Sequence, residues 1–289
     1  MTIEAGFFPG FVITFRESLE VALVLAIILG NLAKNKLAKL NGVVYAGLGA
    51  GITASLITAF LFVSLIGGFE GTAEQIFEGV TMFAGAALIT TMIIWMMGQK
   101  RMAEGIRQSI ETNLSKGYKQ GLFFLVFFSV LREGVETVIF LGTVSFSSTH
   151  TATLLGALIG LGAAAVLGYV LFVSSMKLNV RLFFSITNLL LIIFAASLIS
   201  QAAHEFSEAK LLPPIIEKVW DMNPPMNPDG TYPLMHEKGD IGEALHSFFG
   251  FLASPSLLEL MSYVSYLAVA LILVFRAKGK AQRSKPQER

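Results

Sequence analysis

The sequence Arg-Glu-x-x-Glu occurs twice in this chain, at residues 16–20 and 132–136. Each copy contributes the only charged residues of a long apolar run, which covers 7–33 for the first copy and 121–148 for the second. An ionised residue near the centre of a membrane helix costs about 2.5–3.5 kcal/mol. Charged residues in such a position normally face the interior of a helix bundle and mark an ion path. The two motifs therefore predict a functional site between helices that cross a membrane.

The composition supports a membrane location for the whole chain. Hydrophobic residues make up 54% of the 289 residues and charged residues 14%, whereas a soluble domain has about 25% charged residues. The absence of cysteine excludes thiolate metal sites and iron–sulfur clusters, so a metal site must use oxygen, histidine nitrogen or methionine sulfur. The N-terminus lacks the basic region of a signal peptide, so we expect the first apolar segment to be retained.

Seven segments are long and apolar enough to cross a bilayer, which requires about 20 residues. These predicted spans are 9–33, 42–67, 75–98, 119–147, 152–175, 181–203 and 255–276. Lys and Arg cluster after spans one, three and five and in the tail, whereas the loops after spans two and four have none. With seven spans, the basic segments share one side, which the positive-inside rule makes cytoplasmic. We predict an all-α integral membrane protein with its N-terminus outside and its C-terminus in the cytoplasm.

The two motifs lie in the first and fourth predicted spans. Spans one to three, about 9–98, and spans four to six, about 119–203, are therefore expected to be two copies of a three-helix unit. Because each unit has an odd number of spans, the second copy would be inverted, as in many secondary transporters. The rest of this single domain, 1–289, is expected to be an outer loop at 204–254, a seventh span at 255–276 and a basic cytoplasmic tail at 277–289.

The spacing within each motif places its three ionisable residues on one helix face, because each residue turns about 100°. The two glutamates are i,i+3 neighbours, and the arginine and the second glutamate are i,i+4 neighbours. Two such faces would offer four carboxylates and two guanidiniums, suited to a hard cation such as Mg²⁺, Ca²⁺, Mn²⁺ or iron. The alternative is that each arginine neutralises a glutamate and the network fixes helix register. The predicted transport ligands are Glu17, Glu20, Glu133 and Glu136, supported by Arg16 and Arg132.

Two such motifs, in the first and fourth of seven spans, resemble the oxidase-dependent iron permease family over about residues 9–276. That family includes the fungal high-affinity iron permease and bacterial EfeU-type permeases. The resemblance implies that the four motif glutamates are needed for iron transport. It also implies an oxidase or a periplasmic or extracellular iron-handling partner protein. Ser18 stands where the family commonly has glycine, and no consequence is expected because serine is small.

Several polar residues near the predicted outer side are weaker candidates. Glu78, His204 and Glu205 could form an outer vestibule, although acids at a helix N-terminus and solvated residues at a helix end are equally ordinary. Glu243 and His246, in a predicted amphipathic helix at 241–252, have i,i+3 spacing that could bind a metal. The outer loop could also dock a partner or cap the bundle. Trp95 is expected to be an interfacial anchor.

These observations together predict an iron uptake permease of the bacterial cytoplasmic, or inner, membrane. Its partners would be the iron ion and the lipid bilayer, with no nucleic acid. Iron would be the transported substrate, as Fe²⁺ or Fe³⁺, and no cofactor is expected. The alternatives are a transporter of another divalent metal such as Mn²⁺ or Pb²⁺, or a proton-coupled cation transporter. An enzyme is not expected, because neither motif helix carries the histidine ligands of a metal-dependent membrane enzyme.

Overall fold

The computed structural model describes residues 6–66, 70–98, 119–146, 148–173, 180–213, 216–227, 231–236 and 239–283. This part of the chain forms eight α-helices and a short 3₁₀ helix at Ala38–Leu40. The α-helices are α1 Phe7–Lys34, α2 Asn41–Ile66, α3 Thr72–Gly98, α4 Lys119–Phe146, α5 His150–Val173, α6 Val180–Glu208, α7 Asp240–Phe249 and α8 Leu257–Arg283. The basic loop predicted to follow span three lies mostly outside the described residues, as does the end of the basic tail.

The seven long helices correspond to the seven predicted spans. Five of them, α2, α3, α5, α6 and α8, are long and apolar enough to cross a membrane. Helices α1 and α4 are equally long, 28 residues each, but each carries the three ionisable residues of a motif. Long helices suit a bilayer because every backbone hydrogen bond within them is made internally. The chain is therefore a multi-pass, all-helical membrane protein.

Helix α6 continues to Glu208, beyond the end of the predicted sixth span at residue 203. Its extra turn is held by neighbouring helices. Gln75 of α3 donates a 3.0 Å hydrogen bond to Glu208, and the ring of Phe206 lies so close to Gly79 that a Cβ there would be 2.6 Å away. These contacts give the polar end of α6 a packing surface that hydropathy does not reveal.

The long helices pack in three main pairs, α1 with α5, α2 with α4, and α3 with α6. Helix α1 also contacts α4, and α8 packs against α6 and α3. One apolar cluster joins α1, α3, α4, α6 and α8, with Ile13, Met82 and Phe140 among its buried members. A second cluster joins α1, α2 and α4 around Ile28 and Val126. The two motif helices therefore lie side by side within the bundle.

Helices α2 and α4 approach each other through two glycines one turn apart. A Cβ on Gly47 would lie 2.8 Å from the carbonyl oxygen of Phe123, and one on Gly51 would lie 3.1 Å from that of Phe127. Small residues allow this approach in a membrane, where packing rather than hydrophobicity drives helix association.

Helices α5 and α1 repeat this contact, again through two glycines one turn apart. A Cβ on Gly156 would lie 2.1 Å from the carbonyl oxygen of Phe7, and one on Gly160 would lie 2.5 Å from that of Phe11. The contacted phenylalanines of α1 and α4 are separated along the chain by the same number of residues as the two motifs. The step along the chain from Phe7 to Phe123 equals the step from the first motif to the second.

The segment between α6 and α8 folds over one end of the bundle. The backbone amides of Val219 and Met222 each donate a 2.9 Å hydrogen bond, to the carbonyls of Pro255 and Ala253. Helix α7 confirms the short helix predicted there, and it ends at Gly250, whose φ of 67° is the left-handed conformation that glycine favours. The Ser197 hydroxyl of α6 donates a hydrogen bond to the α7 carbonyl of His246. The described residues of this segment therefore cover that end of the bundle.

Candidate functional site

The first motif lies in the middle of α1, with Glu20 about midway between Phe7 and Lys34. The guanidinium of Arg16 is fully buried. It donates from Nη1 to the carboxylate of Glu17, and its Nη2 lies 2.8 Å from Glu20 Oε1. The i,i+4 spacing predicted the pair with Glu20, and the structure adds Glu17, so that a single arginine bridges both glutamates of its motif.

The second motif lies at the middle of α4, with Arg132 about midway between Lys119 and Phe146. Arg132 donates from Nε to Glu133 Oε1 at 3.1 Å and also from Nη2 to the same oxygen. Its Nε is 3.5 Å from Glu136 Oε1. The ion-pair pattern of the first motif is therefore repeated on a second helix.

The packing of α1 against α4 brings the two motifs together. Single carboxylate oxygens of Glu17, Glu20 and Glu133 all lie within 4.8 Å of one another, and all three side chains are buried. Two oxygens bound to one hard cation at about 2.0–2.6 Å each are at most about 4–5 Å apart. The three carboxylates are therefore close enough to share one ion.

Glu136 is the predicted ligand that the structure leaves at the edge of this cluster. Its side chain is partly exposed, and it pairs with Arg132 rather than joining the three buried carboxylates. No other group of three metal-ligating side chains this close is present in the described part of the chain. The structure thus brings three of the four predicted glutamates into one cluster and keeps the fourth beside it.

Each arginine pairs with only some of the carboxylate oxygens of its motif. Glu17 Oε2, Glu133 Oε2 and Glu136 Oε2 are buried and have no hydrogen-bond partner among the described residues. Buried polar atoms are normally satisfied, because leaving one unpaired costs about 1–3 kcal/mol. If the arginines served only to neutralise the glutamates, Glu136 Oε2 would remain unsatisfied, and Glu17 and Glu133 could satisfy each other only by sharing a proton. A bound cation would satisfy them, and an all-oxygen donor set suits a hard cation.

Helix α3 contacts both arginines, which the sequence did not indicate. Arg16 Nη1 lies 3.3 Å from the Met92 sulfur, and the Arg132 guanidinium lies 4.8 Å from the centre of the Trp95 ring. Trp95 is thus more than the interfacial anchor expected for it. Nothing in the α3 sequence predicts these contacts, because they depend on how α3 packs against the motif helices.

A second polar group lies where α6 meets the start of α8. His204 Nδ1 is 2.7 Å from Glu259 Oε1, and its Nε2 is 3.3 Å from Glu208 Oε1. Both ring nitrogens therefore face carboxylates, an arrangement in which a doubly protonated ring donates to each. Sequence reasoning missed Glu259, although Ser256 and Glu259 have the spacing of a capping box. The structure forms that box, with each side chain accepting from the other residue's amide at 3.1–3.2 Å.

His204 and Glu205 line a cavity of about 290 Å³ beneath α7. The lining residues are Met82, Phe146, Ser200, Gln201, His204, Glu205, His246, Leu252, Ser254 and Glu259. Glu78, the third vestibule candidate, is half-buried and interacts electrostatically with Glu205 rather than lining the cavity. The side chain of Glu243 lies outside the described residues. Two of the three predicted vestibule residues therefore line the cavity.

An apolar layer lies between this cavity and the carboxylates. Ile13 precedes Arg16 by about one helical turn, and Phe140 follows Glu136 by about one turn on the antiparallel helix. Both are at most 1% exposed and belong to the same cluster as Met82, which also lines the cavity. The cluster therefore places apolar side chains on the cavity side of the carboxylates.

Comparison with known proteins gives one family. The model of the iron permease FTR1 family matches residues 7–278. Ferrous iron permease EfeU of Escherichia coli O6:H1 is 30% identical over 283 residues, covering 96% of this chain and 99% of that protein. Ferrous iron permease EfeU of Yersinia pestis is 30% identical, with 93% of each chain covered. An uncharacterised protein of Archaeoglobus fulgidus is 31% identical over 93% of this chain and 95% of its own length. No solved structure matches the chain.

Proposed function

This chain belongs to the iron permease FTR1 family, and on that premise we propose that it carries iron into the cell through the carboxylate cluster of its two motifs. It is a permease and not an enzyme. In the proposed site Glu17, Glu20 and Glu133 bind the ion, and Glu136 joins them during passage. The observation that carries the proposal is the buried cluster, whose three carboxylates lie within 4.8 Å of one another.

The depth of the cluster supports a transport role. Both motifs lie near the middle of their helices, which have 28 residues each. With a rise of about 1.5 Å per residue, the middle of such a helix is about 20 Å from either end, near the middle of a bilayer. Ionisable groups at that depth are expensive and usually functional. A site at the midplane can be reached from either side by a modest rearrangement of the helices around it.

We propose that the two halves of the bundle form the inverted repeat predicted from the motifs. A two-fold relation that exchanges α1 with α4 and α2 with α5 would turn the α1–α5 contact into the α4–α2 contact. The matched glycine contacts of these two pairs are what such a relation would produce. We also propose the seven-span topology predicted from the basic loops, with the N-terminus outside and the basic tail in the cytoplasm. Relatives from bacteria favour the cytoplasmic membrane as the location.

The proposed path begins at the outer cavity. Glu205 in the cavity and Glu78 beside it would attract the cation there, with His204 held between Glu208 and Glu259. The apolar layer of Ile13, Met82 and Phe140 would have to open before the cation reached the cluster. The segment between α6 and α8 covers the same end and is the part of the chain best placed to meet an iron-handling or oxidase partner. Names of the relatives favour Fe²⁺ as the transported form. Oxygen ligands also suit Mn²⁺, which is the second candidate substrate.

Uptake of radioactive iron into liposomes tests this function. Purified protein would be reconstituted and offered Fe²⁺ under ascorbate or Fe³⁺ as a soluble chelate. We expect uptake of Fe²⁺ that is abolished by Glu17→Ala and by Glu133→Ala. Glu217→Ala, which removes an exposed glutamate of the outer segment, is the control and should transport normally. Normal uptake by both motif variants would refute the site, and Mn²⁺ competing as well as Fe²⁺ would favour the second candidate.

A further inference from the structure

Helix α3 places two side chains, one turn apart, against the two motif arginines. Met92 and Trp95 have i,i+3 spacing, so they share one face of α3. Met92 is buried against Arg16, and Trp95 lies against Arg132. Neither residue belongs to a motif, and neither is a carboxylate.

The contact with Trp95 fixes how Arg132 can approach its glutamates. The guanidinium is planar, and its centre lies 4.8 Å from the centre of the indole ring. A cation over an aromatic face is held there by the ring quadrupole, most strongly by tryptophan. The nitrogens of Arg132 then reach Glu133 and Glu136 only through Oε1 of each carboxylate.

This orientation leaves the second oxygens of those carboxylates open. Glu133 Oε2 and Glu136 Oε2 have no hydrogen-bond partner in the described part of the chain. A guanidinium released from the indole could pair with both oxygens of one carboxylate, which is the geometry that arginine prefers. Such bidentate pairing would occupy the oxygens that a cation needs.

We propose that Trp95 is a positioning residue of the cation site, which holds Arg132 beside the carboxylates and prevents it from closing over them. Met92 restrains Arg16 through its sulfur, one turn away on the same face of α3. The proposal rests on the ion-binding role of the motif glutamates given above. In this proposal α3 keeps the two arginines close enough to the carboxylates to balance their negative charge. It also restrains the arginines so that they do not displace the bound ion.

The test is equilibrium binding of radioactive Fe²⁺, under ascorbate, to the purified full-length protein. Trp95→Leu should weaken binding about fivefold, the size expected for loss of one partly exposed cation–π contact. Trp95→Phe keeps a weaker aromatic face and should give an intermediate loss. Trp220→Leu removes the other tryptophan, which lies in the outer segment, and should bind like the wild type. The Phe variant keeps the test open if the Leu variant does not fold.

A double-variant comparison separates positioning from a general effect on packing. In an Arg132→Met background, Trp95→Leu or Trp95→Phe should weaken Fe²⁺ binding by less than about twofold, because the residue acts through Arg132. Unchanged binding in both Trp95 variants would overturn the proposal, as would an equal loss with and without Arg132. Absence of Fe²⁺ binding by the wild type would instead overturn the proposed function, and this inference with it.

Discussion

Arg16 and Arg132 hold the same place in their motifs, yet the Arg16 side chain is fully buried whereas the Arg132 side chain is 44% exposed. Each bridges the two glutamates of its own helix. The site therefore has a closed half on α1 and a more open half on α4. In the closed half, the charge of Arg16 is balanced by the glutamates and not by solvent, because no solvent reaches this side chain.

Replacement of Arg16 should consequently destabilise the protein more than replacement of Arg132. Arg16→Met leaves two buried carboxylates without their cation, and breaking a buried pair in this way costs about 3–5 kcal/mol. Arg132→Met should cost clearly less, because that side chain is already half solvated. Thermal unfolding of both variants in the same detergent measures the difference. Equal falls in the unfolding temperature would contradict the asymmetry.

Adding a methyl group at the glycine contacts should disrupt the two equivalent helix pairs. Gly47→Ala and Gly156→Ala place a Cβ within 2.8 Å and 2.1 Å of a backbone carbonyl, which cannot move without its helix. Overpacking of this kind costs about 1–3 kcal/mol. Gly49→Ala and Gly162→Ala are matched controls on the same helices, because a Cβ at either position meets nothing within 4 Å. If the control substitutions lower the unfolding temperature as much as Gly47→Ala and Gly156→Ala do, the close approach of the helices at these glycines is ruled out.

Gly134, inside the second motif, should not tolerate the side chain that the first motif has at Ser18. A Cβ on Gly134 would lie 2.0 Å from the Ser55 hydroxyl and 2.5 Å from its Cβ. Gly134→Ala should therefore lower stability and iron uptake, and adding Ser55→Gly should restore both, since the nearest remaining Ser55 atom is 3.9 Å away. If the double variant is as impaired as Gly134→Ala alone, the contact with Ser55 is not the cause.

Glu259 should stabilise the junction of α6 and α8 through its two roles. Glu259→Gln removes the charged partner of His204 but can keep the capping box at the start of α8, because glutamine also serves at that position. A modest fall in unfolding temperature is therefore expected, from the lost charge alone. Glu208→Gln, which alters the exposed partner on the other side of His204, should have a smaller effect. The same ordering should hold for uptake if the cavity lies on the iron path.

The helices and most of the carboxylate cluster were predictable from the sequence because the bilayer restricts both. Apolar length predicts the long helices, and the cost of burying charge singles out the two motifs. The i,i+4 spacing correctly predicts that Arg16 pairs with Glu20, whereas its second pair, with Glu17, was not predicted. No property of a single helix predicts which helix packs beside it.

Residues outside the motifs were harder to identify for that reason. Met92 resembles an ordinary residue of an apolar helix and Trp95 an interfacial anchor, and their contact with the arginines arises only when α3 packs against α1 and α4. Glu259 resembled an acid at a helix start, which it is, but its partner His204 lies far from it in the sequence, on α6. The capping-box spacing was a visible signal for Glu259, whereas none existed for Trp95.

The central claim is that the carboxylates of both motifs bind one iron ion together. Its most direct test is the stoichiometry of Fe²⁺ bound to the purified protein, in the wild type and in the isosteric variants Glu17→Gln and Glu133→Gln. We predict one ion per wild-type chain, with binding lost when either helix loses its carboxylate. Unchanged stoichiometry and affinity in both variants would contradict the account, since the ion would then lie elsewhere.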